Sequence, residues 1–292
     1  MEHTLRKPDW LKVRIYQGPE FARLRRIIHE KKLHTVCEEA LCPNMGECWG
    51  HGRATLMILG DVCSRNCKFC GVASGRPFLP DEQEPARVAE AVKAMKLHDV
   101  VITSVTRDDL KDGGARIWAK TIRLIHKTAP EVSVEALIPD FAGSFKSFKT
   151  VLNAKPEIFS HNLETVPSLY KKVRPQADYE QSLTLLNRSH EYGMITKTSI
   201  MLGLGETREE VIDLMKNAND AGVDIFYAGQ YLQPTKKHFP VSRYVTPEEF
   251  RKYKKIGLEI GFKVVVSGPL VRSSYHSEEQ TKYINNQNKK IQ

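Results

Sequence analysis

From position 55 onward, short runs of β-branched and aliphatic residues alternate with longer stretches in which apolar positions recur every three or four residues. The short runs predict strands at 55–60, 99–104, 132–138, 157–162, 195–201 and 223–229, with 263–266 as a brief terminal strand. Between them the spacing predicts amphipathic helices. Val88, Ala91, Val92 and Met95 fall at i, i+3, i+4 and i+7, and Val211, Leu214, Met215 and Ala218 repeat the pattern. Both stripes read as faces turned to a core. Thr246, Pro247 and Glu249 start a further helix, with a capping hydroxyl, a first-turn proline and a capping-box acid in register. Alternation of this kind builds a parallel sheet covered by helices. Six strand–helix units predict an α/β chain of the incomplete (β/α)6 TIM-type barrel class, whose chemistry gathers beyond the C-terminal ends of the strands.

Polar and glycine-rich segments fall at those ends. Thr103-Ser104-Val105-Thr106-Arg107-Asp108-Asp109 follows the second predicted strand, and His161-Asn162-Leu163-Glu164-Thr165 the fourth. Gly203-Leu204-Gly205-Glu206 follows the fifth, and Gln230-Tyr231-Leu232-Gln233-Pro234 the sixth. Any one of these alone reads as a turn or a helix cap; all of them at one rim predict a ligand site. The chain divides by pattern into an N-terminal extension (1–52), the barrel (53–262) and a C-terminal extension (263–292). The polar tail after Tyr275 is expected to be mobile.

Composition changes this picture little. Hydrophobic residues make up 41% and charged residues 27%, which excludes wholesale disorder and a multi-span membrane protein. No apolar run approaches the roughly 18 residues that cross a bilayer, and the opening segment, residues 1–13, lacks the apolar stretch of a secretory signal. A cytoplasmic protein without membrane attachment is expected. The excess of Lys+Arg (44) over Asp+Glu (35) gives a formal charge of +9, which draws acidic partners: nucleic acid, anionic lipid or an acidic carrier protein. Charge alone does not choose among them.

The cysteines narrow the chemistry. All six lie between positions 37 and 70, as Cys37, Cys42, Cys48 (C-x4-C-x5-C) and Cys63, Cys67, Cys70 (C-x3-C-x2-C). In a reducing compartment such clusters bind metal or do catalysis rather than form disulfides. A structural zinc site takes four ligands, and only Cys67 and Cys70 have knuckle spacing; His51 would have to supply a fourth. Soft thiolates at short spacing equally suit iron–sulfur clusters. A cubane on three cysteines leaves one iron open to another ligand.

The second triplet, Cys63-Ser64-Arg65-Asn66-Cys67-Lys68-Phe69-Cys70, resembles the signature C-x3-C-x-aromatic-C of the radical S-adenosylmethionine superfamily, with Phe69 in the aromatic place. That resemblance implies a 4Fe–4S cluster on Cys63, Cys67 and Cys70. Its open iron would bind S-adenosylmethionine and cleave it to a 5′-deoxyadenosyl radical. The first triplet, in the run from His34 to Gly50, resembles the auxiliary-cluster segment of lipoyl synthases. So do Lys7-Pro8-Asp9-Trp10-Leu11-Lys12, Ile138-Pro139-Asp140-Phe141, His161 to Pro167, Gln230 to Pro234 and Arg272-Ser273-Ser274-Tyr275.

The resemblance implies an enzyme that inserts two sulfur atoms, at carbons six and eight, into an octanoyl chain borne on a lysine of a lipoyl carrier domain. Carriers of this kind belong to the acyltransferase subunits of 2-oxoacid dehydrogenases and to the glycine-cleavage H protein. It further implies a second 4Fe–4S cluster on Cys37, Cys42 and Cys48, consumed as the sulfur donor, with Ser274 rather than Ser273 as its fourth ligand. By analogy and rim position, Thr103, Ser104, Asn162, Glu164, Arg174, Gly203 and Glu206 are expected to hold S-adenosylmethionine; Thr106 is given no role. An electron donor such as flavodoxin or ferredoxin and an iron–sulfur carrier that rebuilds the spent cluster complete the expected partners, with no nucleic acid among them. The rival readings are a tRNA methylthiotransferase-like enzyme, which would need an RNA-binding module, a biotin synthase, whose auxiliary ligands lie within the barrel, and a non-enzymatic zinc- or nucleic-acid-binding protein.

Overall fold

The aliphatic runs become strands because their branched side chains pack on a pleated surface buried on both faces, as parallel sheets covered by helices require. The computed structural model of the chain describes residues 6–13, 18–275, 280, 282–284 and 286–287. Two compact units are present, residues 13–159 and residues 1–12 with 160–292.

In the unit of residues 13–159 the elements run α1 (Pro19–Glu30), β1 (His34–Thr35), α2 (Val36–Glu39), α3 (Met45–Gly50), β2 (Thr55–Ile58), β3 (Val62–Cys63), β4 (Ala73–Ser74), α4 (Glu84–Met95), β5 (Asp99–Ser104), α5 (Ala115–Thr128), β6 (Ser133–Leu137), α6 (Phe145–Leu152) and β7 (Ile158–Ser160). The sheet order is β1-β2-β5-β6-β7, and β3 pairs with β4 separately. β2 is parallel to β5 with Met57 opposite Thr103, and β5 is parallel to β6 with Thr103 opposite Leu137. β1 is antiparallel to β2, with His34 opposite Met57. The stripe Val88, Ala91, Val92 and Met95 is buried along α4, as its spacing requires.

The other unit carries α7 (Tyr170–Val173), α8 (Tyr179–Glu191), β8 (Ile195–Leu202), α9 (Arg208–Asp220), β9 (Ile225–Gln230), α10 (Pro247–Ile260) and β10 (Val264–Gly268). Its strands are parallel in chain order, with Ser199 opposite Tyr227 and Gly229 opposite Gly268. Val211, Leu214, Met215 and Ala218 are buried on α9, and Thr246 with Glu249 forms the expected capping box of α10.

Strands that follow one another in space as in sequence, parallel and joined by helices, give the α/β class expected of an incomplete (β/α)6 barrel. Of the tail expected to be mobile, residues 276–279, 281, 285 and 288–292 lie outside the described residues. Among those described, Gln280 is fully buried and accepts a 2.9 Å hydrogen bond from Lys197 Nζ, and Ile284 is buried. Among the described residues no helix is long and apolar enough to cross a membrane.

Candidate metal centres

The first triplet is assembled by two short helices. Thr35 caps α2 by accepting from the Glu38 amide, which fixes Cys37 in its first turn. Leu41 then takes φ +51°, and the turn closes as the Cys42 amide donates to Cys37 O at 3.0 Å. α3 carries Cys48, whose amide donates to Asn44 O at 2.8 Å. The three thiols feel one another. Burial, then the neighbouring Cys42, pushes the Cys37 thiol up to about 11, while the Thr55 backbone amide and the Trp49 indole pull the other way. Burial, Cys37, Cys42 and Glu47 push Cys48 up to about 12 against Arg53. Thiols that penalise each other's ionisation keep their protons until a multiply charged metal centre compensates.

The second triplet sits in a loop held at both sides. Cys63 ends β3, opposite Ser74 of β4, and its carbonyl accepts from the Gly75 amide at 2.9 Å. Its sulfur accepts from two backbone amides, Arg65 at 3.4 Å and Thr106 at 3.3 Å. Ser64 locks to the segment after β5: its amide and hydroxyl both donate to Thr106 O, and its Oγ accepts from the Asp108 amide. Arg65 is buried between two carboxylates. It donates Nε and Nη2 to Asp108 at 2.6 and 3.0 Å, and Nη1 and Nη2 to Asp140 at 2.7 Å each. Burial alone would lower the Arg65 pKa, but the two carboxylates outweigh it and raise the value.

The two triplets belong to the same unit, and their segments touch. A Cβ built on Gly71, next to Cys70, would stand 3.3 Å from the Ala40 Cα and 3.5 Å from Glu39 O, between Cys37 and Cys42. Only a residue without a side chain fits this approach without movement.

Among the described residues no three His, Cys, Asp or Glu side chains converge closely enough to share one metal ion. A single tetrahedral zinc with Zn–S bonds of roughly 2.3 Å needs thiolates about 3.8 Å apart. A cubane takes one thiolate per iron and so a wider triangle. Two all-thiol triplets fit iron–sulfur clusters by donor type.

The remaining expected site residues divide by unit. Thr103 is buried and donates its hydroxyl to Leu137 O at 2.9 Å, while Ser104 accepts from Trp118 Nε1 at 3.2 Å. In the other unit, Asn162 Nδ2 donates to Glu164 Oε1 at 3.1 Å. Glu164 has φ +66° and is clamped by bonds to Ser199 O and from the Met201 amide. A left-handed carboxylate residue held on both sides is strain of the kind found where a side chain must be aimed. Burial raises its pKa, opposed by the charge of Arg174 and the hydrogen bond from Asn162. Arg174 Nη1 donates to Asn162 O at 3.0 Å and to Tyr170 Oη at 2.9 Å, holding this loop from behind. The adjacent Thr165 hydroxyl is buried with no hydrogen-bond partner among the described residues. Glu206 is committed to its own turn, accepting from the Gly203 amide at 2.7 Å and the Leu204 amide at 2.9 Å. Gly203 has φ +98°, and a Cβ there would meet Gln230 Nε2 at 2.3 Å. These two residues shape the rim. Ser274 is half-buried in a turn whose Tyr275 amide donates to Arg272 O at 2.9 Å.

Sequence reasoning missed Arg65, the Thr106 amide and Trp49. Backbone donors carry no side-chain signal, and Thr106 was given no role. Arg65 had one: a cation inside a cysteine loop, with aspartates in two motifs at other strand ends.

Comparison with known proteins agrees with this geometry. Residues 57–218 match the radical SAM superfamily, and residues 1–42 match the N-terminal domain of lipoyl synthase of that family. A lipoyl synthase of Rubrobacter xylanophilus is 54% identical over 277 residues, covering 94% of this chain and 86% of the relative. A mitochondrial lipoyl synthase of Nematostella vectensis is 52% identical over 274 residues, covering 94% and 95%. Among solved structures, methylornithine synthase (PylB) aligns with TM-score 0.54 and 12% identity over 89% of this chain and 82% of that one. Streptococcus suis SuiB bound to S-adenosylmethionine aligns with TM-score 0.59 and 12% identity over 82% and 55%. These last two likenesses are of fold.

Proposed function

The chain belongs to the lipoyl synthase family of the radical S-adenosylmethionine superfamily, and we propose on that footing that its two cysteine triplets hold two clusters with different roles. It is a sulfur-inserting enzyme that uses S-adenosylmethionine and a 4Fe–4S cluster and acts on a lipoyl domain. The substrate is an octanoyl chain on a carrier lysine, sulfurated at carbons six and eight.

Cys63, Cys67 and Cys70 hold the cluster that binds S-adenosylmethionine. Cys37, Cys42 and Cys48 hold the auxiliary cluster, with Ser274 as its fourth ligand. When bound, the first group supplies a carbon-centred radical and the second supplies sulfur. The chain's own residues bind, orient and exclude water. The amides of Arg65 and Thr106 donate to the Cys63 sulfur and orient it, and Arg65 with Asp108 and Asp140 keeps the cysteine loop in one shape. Glu164 and Asn162 offer acceptors and an amide suited to ammonium or ribose hydroxyls, with Arg174 fixing their loop. Thr103 and Ser104 end β5 and are assigned the same role, and Gly203 with Glu206 sets the shape of a rim turn. By role the chain then divides as 1–52 for the auxiliary site, 53–262 for radical generation and 263–292 for the serine ligand. Ser274 suits a ligand that must let go, since an alkoxide is a hard partner for a soft cluster.

The observation that carries this reading is the approach of Gly71 to Ala40, which brings the segments of the two triplets together within one unit. Lipoyl carriers of 2-oxoacid dehydrogenases and the glycine-cleavage H protein are the intended acceptors, and the +9 charge favours acidic ones. Flavodoxin or ferredoxin as reductant and an iron–sulfur carrier for rebuilding complete the set. A reducing, cytoplasmic setting suits six free cysteines. The test is an anaerobic assay with reductant, S-adenosylmethionine and an octanoyl-lysyl peptide, following the dithiol by mass. Product formation supports the reading, and S-adenosylmethionine cleavage without sulfur insertion on either loaded cluster would refute it.

A further inference from the structure

Trp49 follows Cys48 directly in α3, and its side chain is fully buried. The ring packs against Phe21 of α1, with centroids 5.2 Å apart and planes tilted by 34°. This contact fixes the indole from one face. Its Nε1–H has no acceptor in hydrogen-bonding geometry among the described residues. A buried N–H without an acceptor costs about 1–3 kcal/mol, so such groups are rare and mark places where a partner is to arrive. The other buried tryptophan, Trp118, has its acceptor in Ser104, and Trp10 is 43% exposed.

Cys37, a buried thiol that receives the Thr55 backbone amide, lies within the reach of this indole. The three cysteines of the site are therefore unequal: Cys37 stands among N–H donors, whereas Cys48 stands beside the Glu47 carboxylate and Arg53. We propose that in the loaded auxiliary site the Trp49 indole N–H donates a hydrogen bond to the Cys37 sulfur or to a cluster sulfide bound beside it. Trp49 is then a positioning residue. Donors aimed at the sulfurs of a cluster stabilise its more electron-rich state and raise its reduction potential.

The inference rests on the reading of Cys37, Cys42 and Cys48 as cluster ligands, and the experiment separates the two. In full-length protein carrying Cys63→Ala, Cys67→Ala and Cys70→Ala, only the auxiliary site remains. The chain is loaded with iron and sulfide, labelled with 15N at the indole nitrogen, reduced, and examined by pulsed EPR. The expected result is a 15N coupling that persists in Trp10→Phe and disappears in Trp49→Phe. In the same background, Trp49→Phe is expected to shift the midpoint potential to a more negative value. If Trp49→Phe does not load, the labelled parent protein decides alone. A loaded cluster with no indole coupling overturns the role of Trp49 and leaves the ligand assignment standing. Failure of the parent triple variant to bind about four irons overturns the ligand assignment itself.

Discussion

Arg65 reaches Asp140, 75 positions away in sequence, with two parallel hydrogen bonds of 2.7 Å, and both side chains are buried. The same guanidinium takes Asp108 on its other edge, so one residue of the cysteine loop ties the ends of two successive parallel strands. A planar five-donor group is the side chain that can meet two carboxylates in this way.

Removing it should be costly. Arg65→Met leaves the buried Asp140 carboxylate without its cation, beside the more exposed Asp108, and breaking a buried pair costs about 3–5 kcal/mol. We expect a lower denaturation midpoint for the cluster-free protein and poor iron loading at the second triplet. Arg65→Lys should recover only part, because one ammonium cannot make both bidentate contacts. Urea unfolding with iron analysis checks this.

The cysteine triplets should separate by function. Cys37→Ala, Cys42→Ala or Cys48→Ala is expected to retain S-adenosylmethionine cleavage, form no dithiol and lose about four irons per chain. Cys63→Ala, Cys67→Ala or Cys70→Ala should abolish cleavage and product together. Chromatography of the cleavage products beside iron analysis distinguishes the two outcomes.

The turn that carries Ser274 offers two tests. Ser274→Ala should leave S-adenosylmethionine cleavage intact while sulfur insertion is lost; surviving insertion would remove the ligand role. Gly229 acts at a distance, since a Cβ there would stand 2.0 Å from Val271 O. Gly229→Ala must push the 271–275 segment away, at an overpacking cost of about 1–3 kcal/mol. Product formation should fall further than cleavage.

Glu84 gives a pH prediction. Its carboxylate is buried and accepts from the Leu59 amide at 2.7 Å, holding a residue with φ +69° just after β2. Burial raises its pKa, opposed by the amides of Leu59 and Gly60 and by His34 and Arg87. The folded chain thus binds a proton that the unfolded chain has released at pH values above its ordinary value of about 4.3. This contribution to stability is complete below that value and is lost as pH rises through the raised one. The stability of the parent protein relative to Glu84→Gln should therefore decline over that window, measured by urea midpoints of the cluster-free protein.

Much of this was legible in the sequence, for identifiable reasons. Runs rich in β-branched, aliphatic or aromatic residues placed β5, β8 and β9 within a residue or two, because a strand buried on both faces favours such side chains. β1, β3 and β4 have two residues each and leave no periodic trace. Cysteine spacing marked both candidate metal sites. What encloses them did not show: the Arg65 bridges join residues 43 and 75 positions apart, and the Cys63 sulfur is served by amides that every residue possesses. Glu206 was read as a ligand contact, whereas its carboxylate closes the turn at Gly203. A glutamate three residues after a glycine looks alike in both roles.

In the proposed division of labour one triplet provides radicals and the other provides sulfur to the same acyl chain. A decisive experiment loads the auxiliary site with 34S-sulfide, and the radical site with natural sulfide, before a single turnover on an octanoyl-lysyl peptide. About eight irons per chain and 34S in the dithiol product are expected. A single cubane per chain, or product carrying only sulfur of natural isotopic composition, would contradict it.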